Sequence, residues 1–199
     1  YYFISGLNRW NAVTVDTLLG IGLDMYLGKN YPYYPSVGLP LYESELCEPE
    51  YIRVNACKTI FRNKFEFDIE GKTLLEMMIH NGLEMTFAEY TLPDASDELL
   101  MGYTKAQLKW CNDNQRMIWS YFKKQNLLFS TQLQQVMRYT LDGPSSTGMP
   151  PESPGNIGTY VGWQMVRSYL KENPDVKWHE LAKQRIDSEE FLRKSNYKP

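Results

Sequence analysis

Histidine is scarce in this chain: its 199 residues include two, His80 and His179. A peptidase-type zinc site such as H-E-x-x-H needs two imidazoles one helical turn apart, because ligands at i and i+4 share one face of a helix. Neither histidine has a second histidine at that spacing. The sequence therefore argues against a zinc site of this type, and we expect no metal or other cofactor.

Cysteine is also scarce. The three cysteines, Cys47, Cys57 and Cys111, are an odd number with wide spacing, so they form neither a C-x-x-C metal pair nor a disulfide framework. One disulfide at most could form among them. Free cysteine is among the most frequently buried residue types, which favours three buried thiols.

Basic runs and long apolar runs are absent as well. The net charge of -3 and the lack of a Lys/Arg cluster argue against nucleic-acid binding. Charged residues such as Asp16 and Asp24 interrupt the most apolar stretches, so none predicts a membrane-spanning helix. Because residues 1–5 resemble a strand already under way, we expect the native N-terminal segment to be missing. Membrane attachment would then lie outside this chain.

The remaining pattern predicts one α+β domain over residues 1–199, mostly helical with a small N-terminal β element. β-branched and aromatic residues predict strands over 1–5 and 12–19, with an extended segment over 20–26. Prolines make 31–42 an ordered surface loop rather than a regular helix. Helical periodicity and caps predict helices over 48–65, 73–90, 105–125, 131–141, 154–171 and 178–185, followed by a polar tail.

Two groups of residues are candidate sites with an alternative structural explanation. Glu76, His80 and Glu84 form one polar stripe, but ligands on a single straight helix cannot surround an ion, which favours a solvated face. Gly155, Gly158 and Gly162 suit either an anion bound at a helix start or close packing of helices. No preceding strand and no Lys-Ser/Thr sequence support a phosphate loop, so packing is favoured.

Aromatic residues make up 14% of the chain. Trp110, Trp119 and Phe122 follow a helical stripe, which favours core packing. A second set lies in the proline-rich loop, where regular burial is harder, and is predicted to form a protein interface. This candidate interface consists of Tyr31, Tyr33, Tyr34 and Tyr42.

Several phrases distributed along the chain resemble the gliding-motility lipoprotein B family of bacterial envelope proteins. They include Ile21-Gly-Leu-Asp-Met-Tyr-Leu-Gly28, Tyr33-Tyr-Pro-Ser36, Gly102-Tyr-Thr104, Leu108-Lys-Trp-Cys111, Asp142-Gly-Pro144, Glu152-Ser-Pro-Gly155, Gly162-Trp-Gln164 and the Ser195-x-Tyr-Lys-Pro199 ending. The resemblance implies a domain on the periplasmic face of the cell envelope, lipid-anchored in the full-length protein. Its implied partners are other envelope proteins, including those of gliding or secretion machinery.

That family is in turn similar to predicted zinc peptidases, which implies a zincin-like fold. In those proteins an E-G-L-A-E-Y-F-like phrase supplies a ligand at its first position, which here is Asn81 of Asn81-Gly-Leu-Glu-Met-Thr-Phe87. The preceding helix, 51–65, has no histidine. The resemblance thus implies a pseudoenzyme with a vestigial cleft at Asn55, Asn81, Gly82, Glu84, Trp163 and Gln164.

We therefore predict a non-catalytic envelope domain that acts through protein contacts. One alternative is an envelope hydrolase with a rebuilt site. Glu and Asp are numerous, and the sequence does not show which of their carboxylates lie close enough to act as a catalytic pair. Another is a peptide- or glycan-binding module that uses the old cleft.

Overall fold

The computed structural model describes residues 1–184 and 186–199. Within them a small sheet precedes a series of helices, which confirms the α+β class; the zincin-like arrangement stays a prediction. The strands are β1 Tyr2–Phe3, β2 Ala12–Val15 and β3 Leu18–Gly22. The helices are α1 Leu41–Ser44, α2 Tyr51–Lys64, α3 Leu74–Thr91, α4 Asp97–Met101, α5 Lys105–Asp113, α6 Gln115–Lys124, α7 Leu133–Thr140, α8 Ile157–Glu172, α9 Trp178–Leu181 and α10 Ser188–Ser195.

The sheet has the order β1-β3-β2, with β1 parallel and β2 antiparallel to β3. The continuous strand predicted over 12–19 is wrong, because Asp16 and Thr17 form a two-residue turn between Val15 and Leu18. Asp16 has a φ of 52°, a left-handed value that its short polar side chain tolerates better than most. The extended segment predicted over 20–26 ends at Gly22, and a 3-10 turn follows over Leu23–Met25.

The helix predictions from 48 to 171 are confirmed in position, with two differences. The helix predicted over 105–125 is interrupted at Asn114, which separates α5 from α6, and α8 begins at Ile157 rather than at Pro154. The predicted Thr104 cap is present as a capping box with Gln107.

Three helices were not predicted. Helix α1 begins at Leu41, inside the segment 31–42 that was predicted to be a loop. Ser96 caps α4 by accepting from Leu99 N, and Asp187 caps α10 within the tail that the sequence suggested was only polar. The helix predicted over 178–185 ends at Leu181, and Arg185 lies outside the described residues.

The chain forms two compact units, one from 1–66 with 88–102 and the other from 67–87 with 103–199. In the second unit α8 packs against α7 and α10. Trp119 and Phe122 are buried there as predicted, whereas Trp110 is half-buried. The core of the first unit contains Ile21, Met25, Tyr26, Tyr34, Leu39 and Cys47. A single domain over 1–199 stays a prediction.

Asp24 fastens the irregular segment after β1 to the first unit. Its carboxylate accepts from Ser5 N at 2.8 Å, Ser5 Oγ at 2.9 Å and Leu7 N at 2.6 Å. Leu7 itself has a left-handed φ of 60°, which is uncommon for a residue other than glycine. Burial raises the pKa of Asp24, but the bonds from Leu7 and Ser5 outweigh burial and leave the pKa below its ordinary value.

We expect Asp24→Asn to destabilise the protein by about 1–3 kcal/mol at neutral pH, because the neutral amide loses charge-assisted bonds. The lowered pKa means that the carboxylate stabilises the fold above its ordinary pKa of 3.8 and loses this effect as the pH falls through the folded-state value. Urea unfolding of both proteins across that pH range measures the difference. A difference that stays constant in acid would show that the charge is not the cause.

Candidate functional site

Helices α3 and α8 cross with their backbones in direct contact. A Cβ added to Gly82 would lie 2.5 Å from the carbonyl carbon and oxygen of Gly162, and one added to Gly162 would overlap the Met78 carbonyl. On α8, a Cβ at Gly158 would lie 2.7 Å from Tyr139 O of α7. Real side chains do not tolerate such distances. The geometry confirms the packing interpretation of Gly158 and Gly162.

The crossing occupies the position where the vestigial cleft was predicted. Asn81 Nδ2 donates to Thr159 Oγ1 at 2.9 Å. This hydrogen bond joins α3 to α8 next to the contact between Gly82 and Gly162. Asn81 is 8% exposed, Glu84 4% and Trp163 0%. Because the helices touch at Gly82, these side chains are interior packing groups and do not line an open surface. The vestigial cleft itself stays a prediction.

The other two predicted cleft residues have different surroundings. Asn55 belongs to the first unit, where its Nδ2 donates to the Tyr26 hydroxyl at 2.9 Å. Gln164, half-buried on α8, lines a cavity of about 330 Å³ in the second unit. Of the predicted cleft residues in that unit, Gln164 is the one that borders open space.

The polar stripe on α3 is not simply solvated, so that interpretation needs correction. Glu76 accepts hydrogen bonds from Thr73 N at 2.9 Å and from Lys72 Nζ at 3.3 Å. The first of these pairs a backbone N–H group at the start of the helix. Burial raises the pKa of Glu76, but the bonds from Thr73 and Lys72 leave it below its ordinary value. The His80 ring stacks on Phe67 with a centroid distance of 4.2 Å, and Glu84 is buried. Among the described residues, no cluster of three His, Cys, Asp or Glu side chains could hold a metal ion.

The four loop tyrosines differ in exposure. Tyr33 is 60% exposed, Tyr31 and Tyr42 are half-buried, and Tyr34 is fully buried. The Tyr34 hydroxyl donates to Asp24 O at 3.0 Å and accepts from Leu27 N at 3.1 Å, and burial raises its pKa to about 12. Tyr34 is therefore a core residue and is not available to a partner.

Two exposed apolar residues of the same loop were not singled out from the sequence. Val37 is 44% exposed, and Leu41, the first residue of α1, is 76% exposed. The sequence did not reveal their exposure, because exposure depends on which side chains of the loop the fold buries. The exposed apolar part of the loop therefore consists of Tyr33, Val37 and Leu41, which we call the loop surface.

All three cysteines are free and buried, which confirms the sequence interpretation. Burial raises the pKa of Cys47 to about 11 and that of Cys111 to about 12, and it also raises the pKa of Cys57. The nucleophilic form of cysteine is the thiolate. These thiols are therefore neutral at physiological pH and unsuited to catalysis.

The cavity beside Gln164 is a feature that the sequence did not reveal. Arg167 and Lys171 project into its lining from α8, and Lys198 comes from the C-terminal segment. The one local signal was the spacing of Arg167 and Lys171, which places them one helical turn apart. The third cation is distant in sequence, so only the fold brings it to the others.

A protein-family model described as gliding motility protein GldB, whose short name marks a lipoprotein family, matches residues 1–199. No curated protein and no solved structure matches the chain. The described part of the chain contains no helix that is long and apolar enough to cross a bilayer.

We expect Gly162→Ala to destabilise the fold by at least about 1–3 kcal/mol, the usual cost of overpacking. The new methyl group would overlap the Met78 carbonyl, which is backbone and cannot rotate away. Gly143→Ala is the matched control, because its Cβ would come no closer than 3.9 Å to its nearest neighbour, Ser145 O. Urea unfolding measures both variants. Equal stability of the two would contradict a close contact between α3 and α8.

Proposed function

Because the chain belongs to the gliding motility protein GldB family, we propose that it is a non-catalytic domain of a lipid-anchored lipoprotein on the periplasmic face of the envelope. It acts through contacts with other proteins of the gliding or secretion machinery. The match over 1–199 is the observation that carries this proposal, since it covers the chain from end to end. The family description names motility and no reaction.

The state of the candidate catalytic groups supports a role without chemistry. The Asn81 amide is engaged with Thr159, the Glu76 carboxylate serves the start of α3, and the thiols are buried. Catalytic acids, bases and nucleophiles need access to a substrate and a pKa suited to proton transfer. These side chains serve packing and capping within their own units.

The loop surface supports a role in protein contact. Tyr33, Val37 and Leu41 expose apolar side chains within one short stretch, and such patches are typical of protein interaction sites. Buried Tyr34 anchors the stretch, and Pro35 and Pro40 restrict its backbone. A surface that is ordered before binding loses less conformational entropy when a partner docks.

The loop surface is tested with the double variant Tyr33→Ser and Leu41→Ser in the lipidated full-length protein. Both side chains are exposed, so we expect an unchanged melting temperature, weaker recovery of cross-linked partners and reduced gliding of cells that carry only the variant. Phe129→Ser with Leu133→Ser is the matched control, at 55% and 49% exposure in the second unit. Undiminished gliding and partner recovery in the loop variant would refute the contact.

The absence of catalysis is tested by metal analysis of the dialysed protein. We expect no stoichiometric zinc, because the chain lacks the paired imidazoles that hold a catalytic zinc ion. The His80→Ala and His179→Ala variants serve as a pair, since each removes one of the two histidines. About one zinc per chain in the wild type, lost in His80→Ala but kept in His179→Ala, would favour the hydrolase alternative.

A further inference from the structure

The small sheet of the first unit has one face that packs on the core and one that does not. On the core side Ile21 of β3 is 5% exposed, and Ala12 and Leu19 pack against the same cluster. Successive residues of a strand point to opposite faces, and paired residues of neighbouring strands share a face. We call the other side the outer face. It consists of Phe3 of β1, Val13 and Val15 of β2, and Leu18, Gly20 and Gly22 of β3.

The outer face is apolar throughout. Every residue that the three described strands place on it is apolar or glycine. An antiparallel pair with one face toward water usually alternates hydrophobic and polar residues, so that the solvated face is polar. Here Val15 is 63% exposed, and Leu18, its partner across the turn, is 49% exposed. The face therefore presents apolar side chains where exposure to water alone favours polar ones.

Glycines make the outer face shallow. A Cβ on Gly20 would lie 3.2 Å from Phe3 Cε1, and one on Gly22 would lie 3.3 Å from Phe3 Cζ. The Phe3 ring therefore lies across β3, in the space beside the two glycines. Val13 packs there as well, since its Cγ2 would lie 3.3 Å from the same Cβ on Gly20. The middle of the face is thus filled by a ring and methyl groups.

We propose that the outer face rests on the surface of the lipid bilayer to which the protein is anchored. A protein interface typically has about one hydrogen bond per 100–200 Å² and pockets that receive anchoring side chains. The side chains that the described strands place on the outer face have no hydrogen-bonding atoms, and a bilayer requires none. Apolar and aromatic side chains of this kind enter the boundary between headgroups and acyl chains.

The path of the chain favours a bilayer as the occupant of this face. The proposed anchor precedes residue 1, and β1 is the first strand of the described chain. Tyr1 continues β1, because Ile21 N donates to Tyr1 O at 2.8 Å, and its side chain is 82% exposed. A tether that enters the fold at β1 holds this edge of the sheet near the membrane, which raises the effective concentration of lipid at the outer face. This inference rests on the lipid anchor of the proposed function.

Charge does not favour the contact. The chain has a net charge of -3, and Asp16 lies in the turn between Val15 and Leu18. Both disfavour anionic lipid, so the outer face suits a zwitterionic surface such as phosphatidylcholine. We therefore expect the contact to be insensitive to salt, unlike an electrostatic attachment.

The test uses the lipidated full-length protein in phosphatidylcholine vesicles, with a fluorophore attached through Val15→Cys. The three cysteines of the chain are buried, so the reagent labels the introduced thiol. Leu133→Cys is the matched control, at a position that is 49% exposed in the second unit. Melting temperature verifies that each variant is folded. Flotation with the vesicles reports the anchor separately from the outer face.

A nitroxide on the acyl chains quenches a label in the lipid, whereas iodide quenches a label in the water. We expect the nitroxide to quench the label at position 15, with iodide quenching lost and no effect of salt, and iodide alone to quench the label at position 133. Adding Leu18→Asp should restore iodide quenching at position 15 without changing flotation, because a charge is costly in an apolar contact. Leu141→Asp, at a position 48% exposed in the second unit, is the control and should leave the quenching unchanged.

Four results would overturn the proposal. The first is equal quenching of the two labels by each quencher, which would leave the anchor intact but give the outer face no preference for lipid. The second is undiminished nitroxide quenching after Leu18→Asp, since the tether alone would then explain the proximity. The third is shielding from iodide in native envelopes but not in protein-free vesicles, which would assign the outer face to a protein partner. The fourth is absence of flotation, which would refute the anchor of the proposed function and this inference with it.

Discussion

The contact between the Gly82 and Gly162 backbones determines how the second unit is built. Two helices usually pack with their axes 8–10 Å apart, according to the side chains between them. Here no side chain separates them, because a Cβ on Gly82 would lie 2.5 Å from Gly162. This close approach brings the Asn81 amide to the Thr159 hydroxyl and encloses Trp163 completely. The polar and aromatic groups of the crossing thereby become core.

The same contact explains why a resemblance to peptidases carries little information about chemistry here. A ligand or catalytic position needs open space in front of it as well as the correct residue type. Asn81 is the residue that the predicted resemblance aligns with a zinc ligand, and its amide hydrogen-bonds within the core. Trp163 has a different consequence, since the Arg167 guanidinium packs over its ring beside the cavity at Gln164. The buried Trp163 ring therefore connects the helix crossing to the Arg167 side chain at the cavity.

The parts of the fold that depend on local chemistry were predictable. The Thr104–Gln107 capping box and the helical periodicity both come from residues within one or two turns of each other. Helix α10 has a local signal of the same kind, the Asp187 cap followed by Glu189 and Glu190, which the sequence analysis missed. The stacking of its Phe191 on Tyr169 in a different helix is the part that the sequence does not show. The cavity beside Gln164 was also not predicted, since tertiary packing alone brings Lys198 and Arg167 into one lining. Tertiary contacts decide such features, and a single sequence does not show them.

In the proline-rich loop, two neighbouring tyrosines differ in exposure because one of them has a hydroxyl that is hydrogen-bonded in the core. Tyr33 and Tyr34 are adjacent and alike in type, yet Tyr34 is buried because its hydroxyl hydrogen-bonds to Asp24 O. The carboxylate of Asp24 also holds Ser5 and Leu7, so one aspartate links the loop to the segment after β1. With Tyr34 held by this network, the backbone of the loop is fixed and the Tyr33 ring faces solvent. A fixed, exposed aromatic ring can bind a partner with little loss of entropy, and the polar network beneath it is what provides that rigidity.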